Sequence, residues 1–521
     1  VILLSTGQIA ALSTAQISAL PIGDVAALST DQIVALDATG IGAPRTAQLA
    51  SLIPDQIIAL TTNQIAGLQT TQLRSMTADQ LLSLTSTQIT SLTTAQISSL
   101  KTSQISAFGS AQIQVLKTEQ LASLLTAQIS VLSPDQVVSL TTQQLIALTT
   151  GQITALVPQD VSALTTQQTV SLTQSQFTAL KTDQIAALRS DQIRTLTTTQ
   201  VANLSDTQIK ALTAEQLPVL VTNQITALKS SQIAVLAPSQ FAVLTTEDIA
   251  VLSTGQLAAL SSGQISAMSS GQLTALTTTG LSSLSTAQII NLTSLQMPVL
   301  KTGQIQAFTT TQINALTTSQ IASLTTDQAK ALTSIQSLAL TTQQLQNLNT
   351  DQLSAFDPED LSVLSSDQIS ALKTEQIAGL TTNQIIALTT SQLISLSSSQ
   401  LTSLKTGQIA ALTNTQIPSL TTAQIAALKT SQITALTNSQ IPQLTTAQIV
   451  ALTTGQIAVL KTDQAVALTP AQMGVIETQD IAAFSTSDIA ALTSNQITAL
   501  TTNQIVALTP AEIQAIALDD F

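Results

Sequence analysis

Leu recurs every eight residues from Leu4 through Leu12 and Leu20 to Leu508, in a frame of 65 sites between positions 4 and 516 that never slips. Where Leu is replaced, the site holds Met76, Phe108, Met268, Phe308, Phe356, Ile476, Phe484 or Ile516, all large and apolar; only Pro44 departs. Even the degenerate stretch from Asp37 to Pro44 keeps its length of eight. The unit reads Thr-Thr-x-Gln-Ile-x-Ala-Leu, numbered one to eight, as in Thr93 to Leu100. Position five is Ile, Leu, Val or sometimes Phe (Phe177, Phe241), position seven is small and position eight is Leu, so these three are expected to face an interior. Positions three and six vary among polar, small and charged residues and are expected to form the outer surface.

Charge placement sets the local structure. All 15 Lys and Arg fall at position one, as Lys101, Lys181 and Arg189 do, or at position six: Arg74, Arg194, Lys210 and Lys330. Of 28 Asp and Glu, 24 stand at positions three and four, and none lies in positions five to eight. Pro54, Pro134, Pro158, Pro238, Pro358, Pro470 and Pro510 occupy position two. A Ser or Thr cap, Pro at the first helical residue, acids in the first turn and Gln three residues after the cap together describe a helix start with a capping box. Ser133-Pro134-Asp135-Gln136 and Thr509-Pro510-Ala511-Glu512 carry it whole. Lys at position one also follows the preceding helix, where a cation meets the negative end of its dipole.

The pattern therefore predicts an all-α solenoid of very short helices, one per octad, running from position two to about position eight. Positions five and eight share a face and form the core seam. Pro218, Pro298, Pro418 and Pro442 lie at position six, inside the expected helix, and those octads are expected to be mostly turn. The rival is a β-solenoid, with turn at positions one to four and strand at five to eight. In a strand the position-eight Leu would point away from Ile and leave an exposed Leu row, which favours the helix. A local period of 24, in which Lys405 to Ala427 matches Lys429 to Ala451, reads as a duplication rather than as three octads per superhelical turn.

One octad cannot fold alone, because burying one Ile and one Leu falls short of the backbone entropy of ordering eight residues. Stability must come from neighbours along the array. The domain organisation expected is a single continuous array over 1–521, about 65 units. Val1 enters at position five and Asp519-Asp520-Phe521 stops at positions three to five, with Phe521 on an inward site, so the chain is expected to be a fragment of, or subunit in, a longer assembly. Self-association, end to end or lateral, is the expected partnership.

Composition removes most chemistry. The 521 residues hold no His, Cys, Trp or Tyr, and 8% are charged, so the usual general acid–base, thiol and zinc constellations cannot be assembled. No enzyme, catalytic residue, cofactor or metal site is expected. A net charge of −13 argues against a nucleic-acid partner. No run approaches 18 apolar residues, which argues against membrane insertion, and Val1-Ile2-Leu3-Leu4 has neither an initiating Met nor a basic flank. Absence of Cys fits an exported protein and a cytosolic one equally.

The acid pairs Glu247-Asp248, Glu359-Asp360 and Asp519-Asp520 could hold a divalent cation, but first-turn acids are the better reading. The Thr-Thr pairs could form an ice-binding hydroxyl array, yet Lys, Pro and Asp interrupt that column. The Gln column, broken by Asp24, Gly40, Asp160, Asp248, Gly280, Asp360, Asp480, Asp488, Glu512 and Asp520, could be a side-chain ladder between units. Capping is the preferred explanation, since Asp and Glu can cap but cannot form amide ladders.

The run Leu420 to Leu428, Leu-Thr-Thr-Ala-Gln-Ile-Ala-Ala-Leu, resembles the octapeptide tracts of very large repetitive bacterial exported or surface proteins of the adhesin-like kind. The resemblance spans nearly the whole chain and implies an extracellular stalk, spacer or filament at the cell surface. A likeness of the Leu-Thr-Pro-x-Gln openings to helix starts of helical-repeat DNA binders is superficial, given the acidic charge. The reading drawn is a non-catalytic structural repeat protein. The alternative is a scaffold binding a protein or peptide through positions three and six.

Overall fold

A computed structural model describes the backbone of residues 1–519 and side chains through Ile516; the pair Asp519-Asp520 and the inward site read for Phe521 lie outside the described residues. Among the described residues every regular element is helical, which sets aside the β-solenoid. Each octad from Ser5 to Ile516 forms one short helix. The chain falls into two compact units, Val1–Ala259 and Leu260–Phe521, each an all-α solenoid of the same construction.

The octad Thr93 to Leu100 shows why the repeat folds as it does. Thr93 is extended (φ −74°, ψ 159°) and its hydroxyl accepts the Gln96 N–H at 3.2 Å, while Gln96 Oε1 accepts the Thr93 N–H at 2.7 Å. The reciprocal pair satisfies two of the helix's orphan donors. The helix Thr94–Ser99 stops before Leu100, whose backbone is extended (φ −61°, ψ 147°) and whose N–H closes back on the Ile97 carbonyl at 3.2 Å. The helices of the repeat up to Ala507 thus end at position five, six or seven, earlier than the sequence pattern predicts. Two consecutive extended residues, positions eight and one, turn the chain into the next helix. No described residue adopts a positive φ, so these corners need no glycine.

Position six prolines act as expected. Leu217–Val219, Met297–Val299, Ile417–Ser419 and Ile441–Gln443 are 3₁₀ turns, because Pro offers no N–H to the carbonyl of position two. The inward residue survives: Leu217, Met297, Ile417 and Ile441 are all buried.

In each unit a helix packs against the third helix after it, as Thr94–Ser99 does on Thr118–Ala122 in the first unit and Thr374–Gly379 on Ser398–Ser403 in the second. Side-chain-to-backbone hydrogen bonds between successive turns span 25 to 31 residues, so one superhelical turn takes between three and four octads and is longer than the local 24-residue period. Positions five and eight line the core in both units, as Ile57, Leu60, Ile97 and Leu100 do in the first and Ile313, Leu316, Ile385 and Leu388 in the second.

The inside differs from the expectation at two positions. Position seven is only half-buried, and its small size answers a neighbour instead: a Cβ on Gly67 would lie 2.7 Å from the Ala38 carbonyl oxygen, and one on Gly379 would lie 3.1 Å from Thr350 Cβ. Position four is as deeply buried as the Leu column; Gln96 is 3% exposed.

Candidate functional site

The buried Gln column is the most ordered chemical feature of the protein. A buried primary amide must pair both its oxygen and its nitrogen. Gln96 Oε1 caps its own helix, and its Nε2 donates to the Ile65 carbonyl at 2.9 Å and the Leu68 carbonyl at 2.8 Å, on the turn below. In the second unit Gln384 repeats this, with Oε1 on the Thr381 N–H at 2.9 Å and Nε2 on the Leu353 and Phe356 carbonyls at 3.0 and 2.8 Å. The recipients are carbonyls at a helix C-terminus: the position five carbonyl, which also accepts the position eight N–H, and the position eight carbonyl, which lies beyond the helix. Capping therefore explains only half of the Gln column. The other half is a bond between turns, from amide to backbone rather than from amide to amide.

Where position one is Lys, half of the box remains: Gln104 Oε1 accepts the Lys101 N–H at 2.9 Å with no hydroxyl in return. Arg189 serves a carbonyl end as its charge suggests, but not that of the helix just before it. Its guanidinium reaches the carbonyls of Ser162 and Leu164 on the previous turn and pairs with Asp191 at 3.0 Å, which holds the Asp191 carboxyl below its usual range. Position six works upward in the same way. Arg74, Asn314 and Gln346 donate to the carbonyls of Ser99, Ala339 and Ala371, at 3.2, 3.2 and 2.7 Å, each 25 residues later.

Three acids in the Gln column invert the polarity between turns. Asp360, Asp480 and Asp488 accept a hydroxyl from Ser334, Thr454 and Thr462, each at position two and 26 residues earlier, at 2.7, 2.6 and 2.8 Å. Burial raises the pKa of Asp360, offset in part by the Ser334 hydroxyl, and burial likewise raises that of Asp248. Asp160 has no such hydroxyl, because Pro134 stands 26 residues before it. Its Oδ2 accepts the Val157 N–H at 3.2 Å and its Oδ1 has no partner; burial pushes its pKa up to about 6.

The candidate acid pairs split. Asp248 and Asp360 are buried column members, whereas Glu247 and Glu359 are exposed. No group of three or more potential ligands gathers among the described residues. Position-one hydroxyls of the Thr-Thr pairs turn to their own Gln N–H, as Thr381 does at 3.2 Å, and positions three and six are mostly exposed, as expected. Two inward polar residues were not singled out by the pattern. Thr169 accepts from Gln192 Nε2 at 3.2 Å, and Ser337 Oγ is buried without a partner. Their signal was legible as non-aliphatic residues at position five.

A solenoid of capped octads, with its polar core spent on backbone, defines an all-α repeat protein. The family model for the ALTTAQ repeat matches residues 111–142, 187–222, 241–278, 297–334, 353–390, 414–446, 438–470 and 473–510, together just over half of the chain. The protein belongs to the ALTTAQ-repeat family. No curated protein matches its sequence. Solved structures of APUM23-GGAAUUGACGG and APUM23-GGAGUUGACGG align over 99% of this chain and 96% of theirs, at 13% and 12% identity with TM-scores of 0.13 and 0.14. Likeness at that level bears on neither fold nor function. No helix among the described residues is long and apolar enough to cross a membrane.

Proposed function

We propose that this protein is a non-catalytic spacer, a repeat array that serves as an extracellular or cell-surface stalk or filament and associates with further copies of itself. The observation that carries this reading is the Gln column. One side chain per octad both caps its helix and bonds the turn below, as at Gln96 and Gln384, so each added octad brings its own connection. Such an array is extended by repetition and leaves positions three and six free to vary. Absence of His, Cys, Trp and Tyr supports a mechanical role over a chemical one.

Solution scattering on the full chain tests the spacer. A radius of gyration well above about 24 Å, the value for an ordinary globule of this length, is expected; a value near it rejects the idea. Protease shaving of intact cells tests the location: loss of the chain without lysis is expected, and full protection overturns a surface site.

A further inference from the structure

The joint at Asp160 lacks the amide that joins the turns of the Gln octads. In a Gln octad, Nε2 donates to the position eight carbonyl 28 residues earlier, as Gln152 does to Leu124 at 2.8 Å. The corresponding carbonyl for Asp160 is that of Leu132, and no donor among the described residues reaches it. In the octads of Asp360, Asp480 and Asp488 a position two hydroxyl donates to the carboxylate instead. Pro134 removes that alternative, so Asp160 is fully buried with Oδ1 unpartnered. A buried carboxylate oxygen without a donor is costly, and the cheapest donor available to Oδ1 is a proton of its own.

We propose that Asp160 is an acid-sensitive joint of the first unit: its protonation supplies the missing donor between the octads Leu125 to Leu132 and Val157 to Leu164 and tightens the turn. Other charges do not complicate the site. The helix Thr126–Ile129 carries no titratable group. Asp135 on Pro134–Val138, Lys181 and Asp183 at Thr182–Ala186, and Arg189, Asp191 and Arg194 at Ser190–Thr195 all stand at exposed positions one, three and six.

The sign follows from linkage. The folded group binds its proton up to about pH 6, against 3.8 for a free carboxyl, so the joint is tight at low pH and loosens as pH rises through about 6. Hydrogen exchange on the full chain between pH 5 and 8, corrected for intrinsic rates, reads this directly. Segments 125–132 and 157–164 should lose protection by up to about tenfold between pH 5 and pH 8, the part of the shift that lies above pH 5. Asp160→Gln should abolish the pH dependence and keep both segments protected. Pro134→Thr supplies the absent hydroxyl and should move the midpoint to lower pH. Protection in the wild type that does not change with pH, or a pH dependence that persists in Asp160→Gln, overturns the proposal.

Discussion

Two defective octads show what a unit needs. Thr413 to Leu420 has lost its α-helix to Pro418, yet it keeps every bond that matters between turns. Gln416 caps Thr413 at 2.8 Å and donates to the Ile385 and Leu388 carbonyls at 2.9 and 2.7 Å, with Ile417 buried above them. Val157 to Leu164 has the opposite defect. Its helix Pro158–Ala163 is complete and Val161 is buried, but Asp160 gives the turn below no donor. The first octad leaves no side-chain polar atom orphaned and the second does. Helix length is thus the dispensable part of the repeat, and the amide between turns is the part that defines it.

The largest effect should come from giving the proline octad the second defect as well. Gln416→Leu strands the Leu388 carbonyl and the Thr413 N–H and leaves the Ile385 carbonyl with the Leu388 N–H alone, and should cost about 3 kcal/mol in urea denaturation or in local hydrogen-exchange opening. A loss below about 1 kcal/mol would mean that the turns are held by the apolar seam alone. Repairing the other octad should act in reverse. Asp160→Gln should stabilise its turn by about 2 kcal/mol at pH 7.5, and the gain should shrink as the pH falls below about 6, because the wild-type acid then carries its own proton. A gain independent of pH would point to packing instead of charge.

Thr413→Ala removes the hydroxyl that accepts the Gln416 N–H at 3.2 Å and should cost about 1 kcal/mol, the usual worth of a helix cap. The same measurement on Lys429, which starts its octad without a hydroxyl, should find Lys429→Ala close to neutral. Pro418→Ala should have a small effect of the opposite sign to Thr413→Ala, a gain under about 1 kcal/mol with a slight rise in far-ultraviolet helical signal. The full interior cost of proline, about 3 kcal/mol, does not apply, since the octad has already relaxed into a 3₁₀ turn. A gain near 3 kcal/mol would show that the turn is strained.

Much of this fold was legible in the order of residues. The eight-residue frame, the helix start at position two, the inward Ile and Leu and the disrupted octads around Pro218, Pro298, Pro418 and Pro442 all follow from local rules, because capping, proline geometry and first-turn charge act within four residues. Gln at position four was legible only as a cap. Its oxygen works three residues away along the chain, whereas its nitrogen works 28 to 31 residues away, and no local pattern reports that distance. The small residue at position seven was read as core for the same reason; Gly67 is small because Ala38 approaches it from another turn.

By itself the sequence determined the period, the handful of inward side chains and the place where each helix begins, since those depend on neighbours a few bonds away. Only the tertiary structure decided how many octads make a turn, and with it which carbonyl meets which amide. That register is set by the corner angles at positions eight and one, summed over between three and four octads. A small change in each corner would bring Gln96 over different carbonyls and leave Asp160 with a different partner.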